Sequence, residues 1–199
     1  LNILLLSLEK ESLHVRNNII EYIFHHYSSS QLICRTLASC AYTPYPILCS
    51  LLSEGNYDNA LAINSRLPFK LANIILKRNK DLEEPIICNA KLSRKYIEKI
   101  LGTDKAALLC CNRNTPPDTI RTIYQKGIRE DECYSYITNP HVPSDILGEL
   151  FHKIKDSHNT IILRNPNMPT SMPIECAIHG SPKQRETMNN NSRTLAFLQ

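Results

Sequence analysis

The residues of this 199-residue chain whose types could do chemistry are its cysteines, its histidines and one acidic triplet. The eight cysteines are Cys34, Cys40, Cys49, Cys88, Cys110, Cys111, Cys133 and Cys176. They form no C-x-x-C and no paired Cys/His spacing of the kind that holds zinc. Cys88, Cys110 and Cys176 fall at apolar positions, where a free thiol packs as a small hydrophobe. An iron–sulfur site built on Cys34, Cys40 and Cys49 lacks a fourth ligand. Unpaired core thiols point to a reducing compartment, hence the cytoplasm. His25 and His26 close a helix candidate, where the dipole favours them. His141, His152, His158 and His179 are scattered over turns and helix ends, and none pairs with Cys or Ser as base and nucleophile. Glu130, Asp131 and Glu132 suit the N-terminus of a short helix. No P-loop, GxGxxG or GxSxG occurs. These readings predict no enzyme, no metal and no cofactor.

Charge carries more information. Residues 1–65 hold 3 Lys/Arg and 5 Asp/Glu, residues 66–129 hold 14 and 6, and residues 130–199 hold 6 and 8. The middle third is therefore +8 between two ends of −2, and the whole excess of +4 lies within it. It is either a solvated outer face or a positive stripe for an acidic partner. Arg66, Lys70, Lys91, Arg94, Lys95 and Arg113 are the candidate partner-binding residues.

The elements that must position these side chains come from a repeat. Asn112 to Tyr124, NRNTPPDTIRTIY, recurs as Asn139 to Phe151, NPHVPSDILGELF, and as Asn165 to Ala177, NPNMPTSMPIECA. Upstream it recurs as Asn64 to Leu76, as Asn89 to Leu101 and, with Cys as anchor, as Cys40 to Leu52. The anchors lie 24, 25, 23, 27 and 26 residues apart. A period near 25 signals an array. Four residues after the anchor stand Pro44, Pro68, Pro116, Pro143 and Pro169, with Ser93 in the remaining frame. Proline suits a helix start. Apolar residues follow at helical spacing, as in Ile146, Leu147, Leu150 and Phe151. Longer helices are expected near residues 68–78, 93–101, 116–126, 143–154 and 169–178. Before each anchor lies a short apolar run, such as Leu61-Ala62-Ile63 or Leu108-Leu109-Cys110, which reads as a short helix of α or 3₁₀ type. The anchor Asn would stop it, through its tolerance of the left-handed conformation and its bonding to its own backbone. In this register Arg66 and Lys91 share position two, and Lys70 and Lys95 share position six.

The Asn-Pro-Asn-x-Pro motif followed by a Leu/Ile-rich helix resembles the variant leucine-rich repeat family, related in architecture to HEAT and armadillo arrays. It reads best at Asn165 to Pro169, Asn112 to Pro117 and Asn139 to Pro143. The resemblance covers roughly residues 40–177 and implies an all-α, right-handed α-solenoid of about seven repeats of ~25 residues. Some members of that family carry an N-terminal cysteine cluster with an iron–sulfur centre. Here no Cys precedes Cys34, so the resemblance implies no such module.

One helical-repeat domain over residues 1–199 is expected: a cap and degenerate repeat at 1–39, regular repeats at 40–177 and a degenerate repeat at 178–199. The cap's helix candidate is Ser12 to Phe24, with Ile19, Ile20, Ile23 and Phe24 apolar. Leu1 to Leu8 is too short to span a membrane and lacks the flanks of a signal peptide. The sequence starts at Leu1, not Met, and near Asn190 a unit restarts that is either truncated or continues past Gln199. The function expected is a non-enzymatic, cytoplasmic scaffold that binds a protein with an acidic surface. A bacterial immunity protein that masks a toxin is one specific form. The alternative is nucleic-acid binding by the basic block. Few aromatics stand near it to stack bases: Phe69, Tyr96 and Tyr124 fall on helices, the two tyrosines at core positions. A base-excision glycosylase would need an acid facing a basic groove with aromatics to hold a flipped base, and no such grouping occurs.

Overall fold

The longer helices begin five residues after their anchors, six in the last frame, and the start is built differently from what proline at a first helical turn suggests. In a computed structural model, which describes residues 10–127, 129, 132–153 and 161–189, these prolines sit just outside the helix. Pro44, Pro68 and Pro116 are N-caps with extended backbone (φ −58 to −64°, ψ 141 to 148°). The proline ring fixes φ where a cap needs it. The carbonyl then accepts the first helical N–H groups: Ile47 and Leu48 on Pro44, Leu71 and Ala72 on Pro68, Thr119 and Ile120 on Pro116. Where Ser93 replaces proline, its carbonyl does the same for Tyr96 and Ile97, and its hydroxyl also accepts the Tyr96 N–H at 3.3 Å.

In chain order the helices are α1 (Leu13–Tyr27), α2 (Gln31–Ser39), α3 (Tyr45–Glu54), α4 (Asp58–Ala62), α5 (Phe69–Arg78), α6 (Glu83–Asn89) and α7 (Arg94–Leu101). There follow α8 (Pro117–Gln125), α9 (Cys133–Thr138), α10 (Ser144–Lys153), α11 (Ser171–His179) and α12 (Pro182–Asn189). Short 3₁₀ segments cover Lys80–Leu82 and Asp104–Cys111. Among the described residues no β-strand forms; the one β-type contact is an isolated parallel bridge between Pro68 and Lys91. The chain is thus all-α, with longer helices at the expected places and short helices before the anchors. Leu1 to Leu8 and the unit near Asn190 lie outside the described residues.

The chain divides into two compact units, residues 1–99 and 100–199. In the first, Ile20 and Ile23 of α1, Cys34 and Leu37 of α2, Leu48 and Leu51 of α3, Leu71 and Ile75 of α5 and Ile86 of α6 form one core. In the second, Ile120, Ile123, Leu147 and Leu150 are buried. Every one of these longer-helix residues follows the i, i+3, i+4 rule, so the apolar stripe and the buried face coincide. Gly55 ends α3 with φ 74°, a left-handed cap that glycine adopts without Cβ strain.

The anchors work by a mechanism other than the left-handed stop expected of them. Among the described residues no non-glycine residue has positive φ. Asn112 and Asn139 are extended (φ −84° and −79°). Their main chain closes a turn on each side: Asn139 donates to Tyr136 O, and its carbonyl accepts from Val142. Their side chains are the reason for Asn. Asn64, Asn139 and Asn165, at most 5% exposed, each direct Nδ2 at two carbonyls of the frame before. Asn64 reaches Ala38 O and Cys40 O, both at 2.8 Å. Asn139 reaches Cys110 O at 2.8 Å and Asn112 O at 3.0 Å. Asn165 reaches Ile137 O and Asn139 O, both at 2.9 Å. The other amide atom, Oδ1, accepts the N–H two residues on, from Arg66, His141 and Asn167. A primary amide is the short side chain that offers both two donors and an acceptor, so each buried group is satisfied.

The frame at Asn89 departs from this scheme. Asn89 is the last residue of α6 and donates within its own helix to Pro85 O at 2.8 Å, while Ala90 is the fully buried residue. Alanine has no amide to reach back, and the main chain makes the link instead, Lys91 N to Leu67 O at 2.9 Å.

Candidate functional site

Position two of the frame is held through its main-chain N–H, by Cys40 Sγ at Tyr42, by Asn64 Oδ1 at Arg66 and by Leu67 O at Lys91. In the first unit this position holds Tyr42, Arg66 and Lys91. All three line one groove of about 490 Å³. Arg16 and Glu21 of α1 form part of it, and Pro44, Pro46 and Pro68 supply apolar wall. Three cations therefore face one carboxylate. The Tyr42 ring carries two of the cations, with the Arg16 guanidinium 4.4 Å and that of Arg66 5.2 Å from its centroid. Contacts at these distances are cation–π interactions, stronger where water is partly excluded.

Of the six residues singled out by charge and register, the structure brings Arg66 and Lys91 to this groove. Lys70, Arg94 and Lys95 are exposed in the first turns of α5 and α7 and do not line it. Arg94 is also paired with Glu98 at 3.0 Å along its own helix. Arg113 is exposed in the second unit, one residue past Asn112. Sequence reasoning missed Arg16 and Tyr42. The signals existed: Arg16 stands four residues before the buried Ile20 on the same helical face, and Tyr42 shares the register of Arg66 and Lys91.

Much of the remaining basic charge is engaged within the fold. Arg78 donates to Leu52 O at 2.8 Å and lies 3.6 Å from Asp58. Lys126 donates to Leu101 O at 2.9 Å. Each thus satisfies a carbonyl at the end of the preceding longer helix, a favoured place for a cation. Arg121 makes a two-pronged pair with Asp145, at 2.6 and 3.0 Å. That contact holds the Asp145 carboxyl below its usual range and raises the guanidinium further. Tyr124 Oη donates to Glu149 at 2.8 Å, and Lys153 lies 3.3 Å from the same oxygen. These bonds lower the Glu149 carboxyl. Tyr96 and Tyr124, expected in the core, are only half-buried, because each hydroxyl reaches out to a carboxylate, Glu83 and Glu149.

The thiols divide by burial. Cys34, Cys110, Cys133 and Cys176 are buried, Cys40, Cys49 and Cys88 half-buried, and Cys111 exposed; none is in a disulfide. Burial pushes the Cys110 thiol up to about 12, and burial likewise raises Cys34 and Cys176. A thiol held protonated is neither nucleophile nor metal ligand. Among the described residues no three His, Cys, Asp or Glu side chains gather as a metal site, and no helix is long and apolar enough to cross a membrane. No family model matches the chain, and neither does any curated protein or solved structure.

Proposed function

We propose that this chain is a non-enzymatic, cytoplasmic helical-repeat scaffold that binds a protein with an acidic surface. Its architecture on this reading is a right-handed α-solenoid of about seven repeats of the variant leucine-rich repeat kind. The regular Asn tethers at near-constant sequence distance support the solenoid, since they are bonds that a stacked array would reuse from repeat to repeat. The observation that carries the binding function is the open groove of the first unit, where Arg16, Arg66 and Lys91 face a single carboxylate. A concentrated positive surface speeds encounter with an acidic partner. A stoichiometric inhibitor, such as a bacterial immunity protein that neutralises a toxin, is one specific form of this reading.

Capture of partners from the native host tests this. Recovery of one protein at equal stoichiometry is the expected result. The double variant Lys70→Glu, Lys95→Glu keeps the fold, because exposed substitutions change stability by less than about half a kcal/mol. It slows association several-fold at low salt and flattens the salt dependence. Recovery of nucleic acid, with log affinity falling steeply and linearly in log salt, overturns the reading.

A further inference from the structure

The groove has a property that charge counting does not supply. Its three cations come from separate stretches of chain: Arg16 from α1, Arg66 from the turn after α4, and Lys91 from the turn after α6. Two of them are held over one aromatic ring, Tyr42. A guanidinium held in this way is pre-organised, and its N–H donors remain available to an oxygen acceptor. Arg16 shows the need for one. Its Nη2 donates to Glu11 O at 3.1 Å, but its Nε is shut off from solvent and has no hydrogen-bond partner among the described residues. Arg66 pairs with no carboxylate among the described residues, although Glu21 lines the same groove. A carboxylate entering the groove would supply the counter-charge that the fold does not give Arg66.

The geometry points to this groove as the seat of an extended acidic segment of a protein, one side-chain carboxylate taken between Arg16 and Arg66 and a neighbouring one by Lys91. This rests on the reading of the chain as a protein-binding scaffold. Two features select a protein carboxylate over a nucleic acid. The stacking capacity of Tyr42 is already taken up by two arginines, whereas single-stranded nucleic acid is held by aromatic faces on which bases stack. The cations are three and set against Glu21, which suits discrete carboxylates rather than a continuous run of phosphates. The volume of about 490 Å³ and the proline walls fit a short stretch of extended chain.

Fluorescence anisotropy with fluorescein-labelled hexaglutamate tests the site, with hexalysine and hexathymidylate as comparators. Hexaglutamate is expected to bind and the comparators to bind at least several-fold more weakly. Arg16→Ala and Tyr42→Leu each weaken hexaglutamate by about tenfold, the loss of one charge-assisted contact. Tyr42→Phe, which keeps the ring, stays within about twofold. So does Lys77→Ala, an exposed cation outside the groove. Far-UV circular dichroism verifies folding of each variant, and Arg66→Ala reads the same groove if Arg16→Ala does not fold. Wild-type affinity in folded Arg16→Ala or Arg66→Ala together with Tyr42→Leu overturns the site, as does no binding of hexaglutamate at millimolar concentration. Displacement of hexaglutamate by a lower concentration of hexathymidylate overturns the choice of a protein occupant. If the groove fails while capture from the host still yields a protein partner weakened by Lys70→Glu, Lys95→Glu, the scaffold reading stands without it. If hexaglutamate binds as expected and no partner protein is captured, the reverse holds.

Discussion

Replacing Asn139 with Ala removes three hydrogen bonds at a site 2% exposed: Nδ2 to Cys110 O at 2.8 Å, Nδ2 to Asn112 O at 3.0 Å, and His141 N to Oδ1 at 2.9 Å. The three losses are unequal. His141 is exposed, so its freed N–H can turn to water. Asn112 O keeps a second partner, the Thr115 N–H at 3.0 Å. Cys110 O loses its side-chain donor in the interior. At about 0.5–1.5 kcal/mol for each bond, and more for a buried group left unpaired, the variant loses about 2–4 kcal/mol. That is a large share of the roughly 5–15 kcal/mol of an ordinary domain. Urea unfolding followed by far-UV circular dichroism measures it, since the chain has no Trp to report. If the two compact units melt separately, the loss falls on the transition of residues 100–199. Asn139→Asp sharpens the argument. Its carboxylate would set an oxygen against two carbonyl oxygens, so at neutral pH it should cost more than the Ala variant. The carboxyl would then have a folded-state pKa raised above its unfolded value. Its relative stability is greatest below about pH 4 and is lost as pH rises through the folded value. A loss under about half a kcal/mol for Asn139→Ala, with unchanged urea slope, would refute the view that the anchors act as interframe tethers.

Other perturbations separate structural roles from surface ones. The Asp58 carboxyl is raised by burial, which outweighs the lowering by Arg78, and its Oδ1 has no hydrogen bond among the described residues. With a raised folded pKa, its contribution is most favourable below the unfolded value and is lost as pH rises through the folded one. Asp58→Asn should therefore be more stable than the native protein at neutral pH, with the gain vanishing below about pH 4, read from thermal melts across pH. Brief alkylation at mildly alkaline pH, followed by peptide mass spectrometry, should label Cys111 first and leave Cys110 unmodified until the chain unfolds, because only the former is exposed. Equal labelling of this adjacent pair would contradict the burial of Cys110.

The helices were legible in the sequence because two independent signals agreed. The proline four residues past five of the six anchors, with Ser93 in the other frame, marked the starts, and the apolar stripe marked the buried faces. Leu71, Ile75, Ile97, Ile100, Ile120, Ile123, Leu147 and Leu150 are all under 9% exposed. Of the anchors' role, the bond to their own backbone was legible, but the reach to the frame before was not. A residue's own backbone preference is visible in one frame, but a bond to a carbonyl some 25 residues earlier is not. For the same reason the frame at Asn89 looked regular, although the buried position had moved to Ala90. Of the basic residues, register picked out Arg66 and Lys91 at position two, and equally Lys70 and Lys95 at position six, which do not line the groove. It did not pick out Arg16, whose place depends on how α1 packs. Nor did charge counting show that Arg78 and Arg121 are engaged within the fold, because their partners Asp58 and Asp145 lie about one frame away.

The reach of the tethers bears on how the chain folds. Those of Asn64, Asn139 and Asn165 close loops of 24 to 29 residues, and none ties distant parts of the sequence together. Closure entropy grows only with the logarithm of loop length, so these three residues face nearly the same entropic barrier. Each tether can form as soon as the frame before it is in place, so structure can grow frame by frame from wherever it first nucleates. Ala90 has no side chain to take that step, and there the backbone bond from Lys91 to Leu67 joins one frame to the one before.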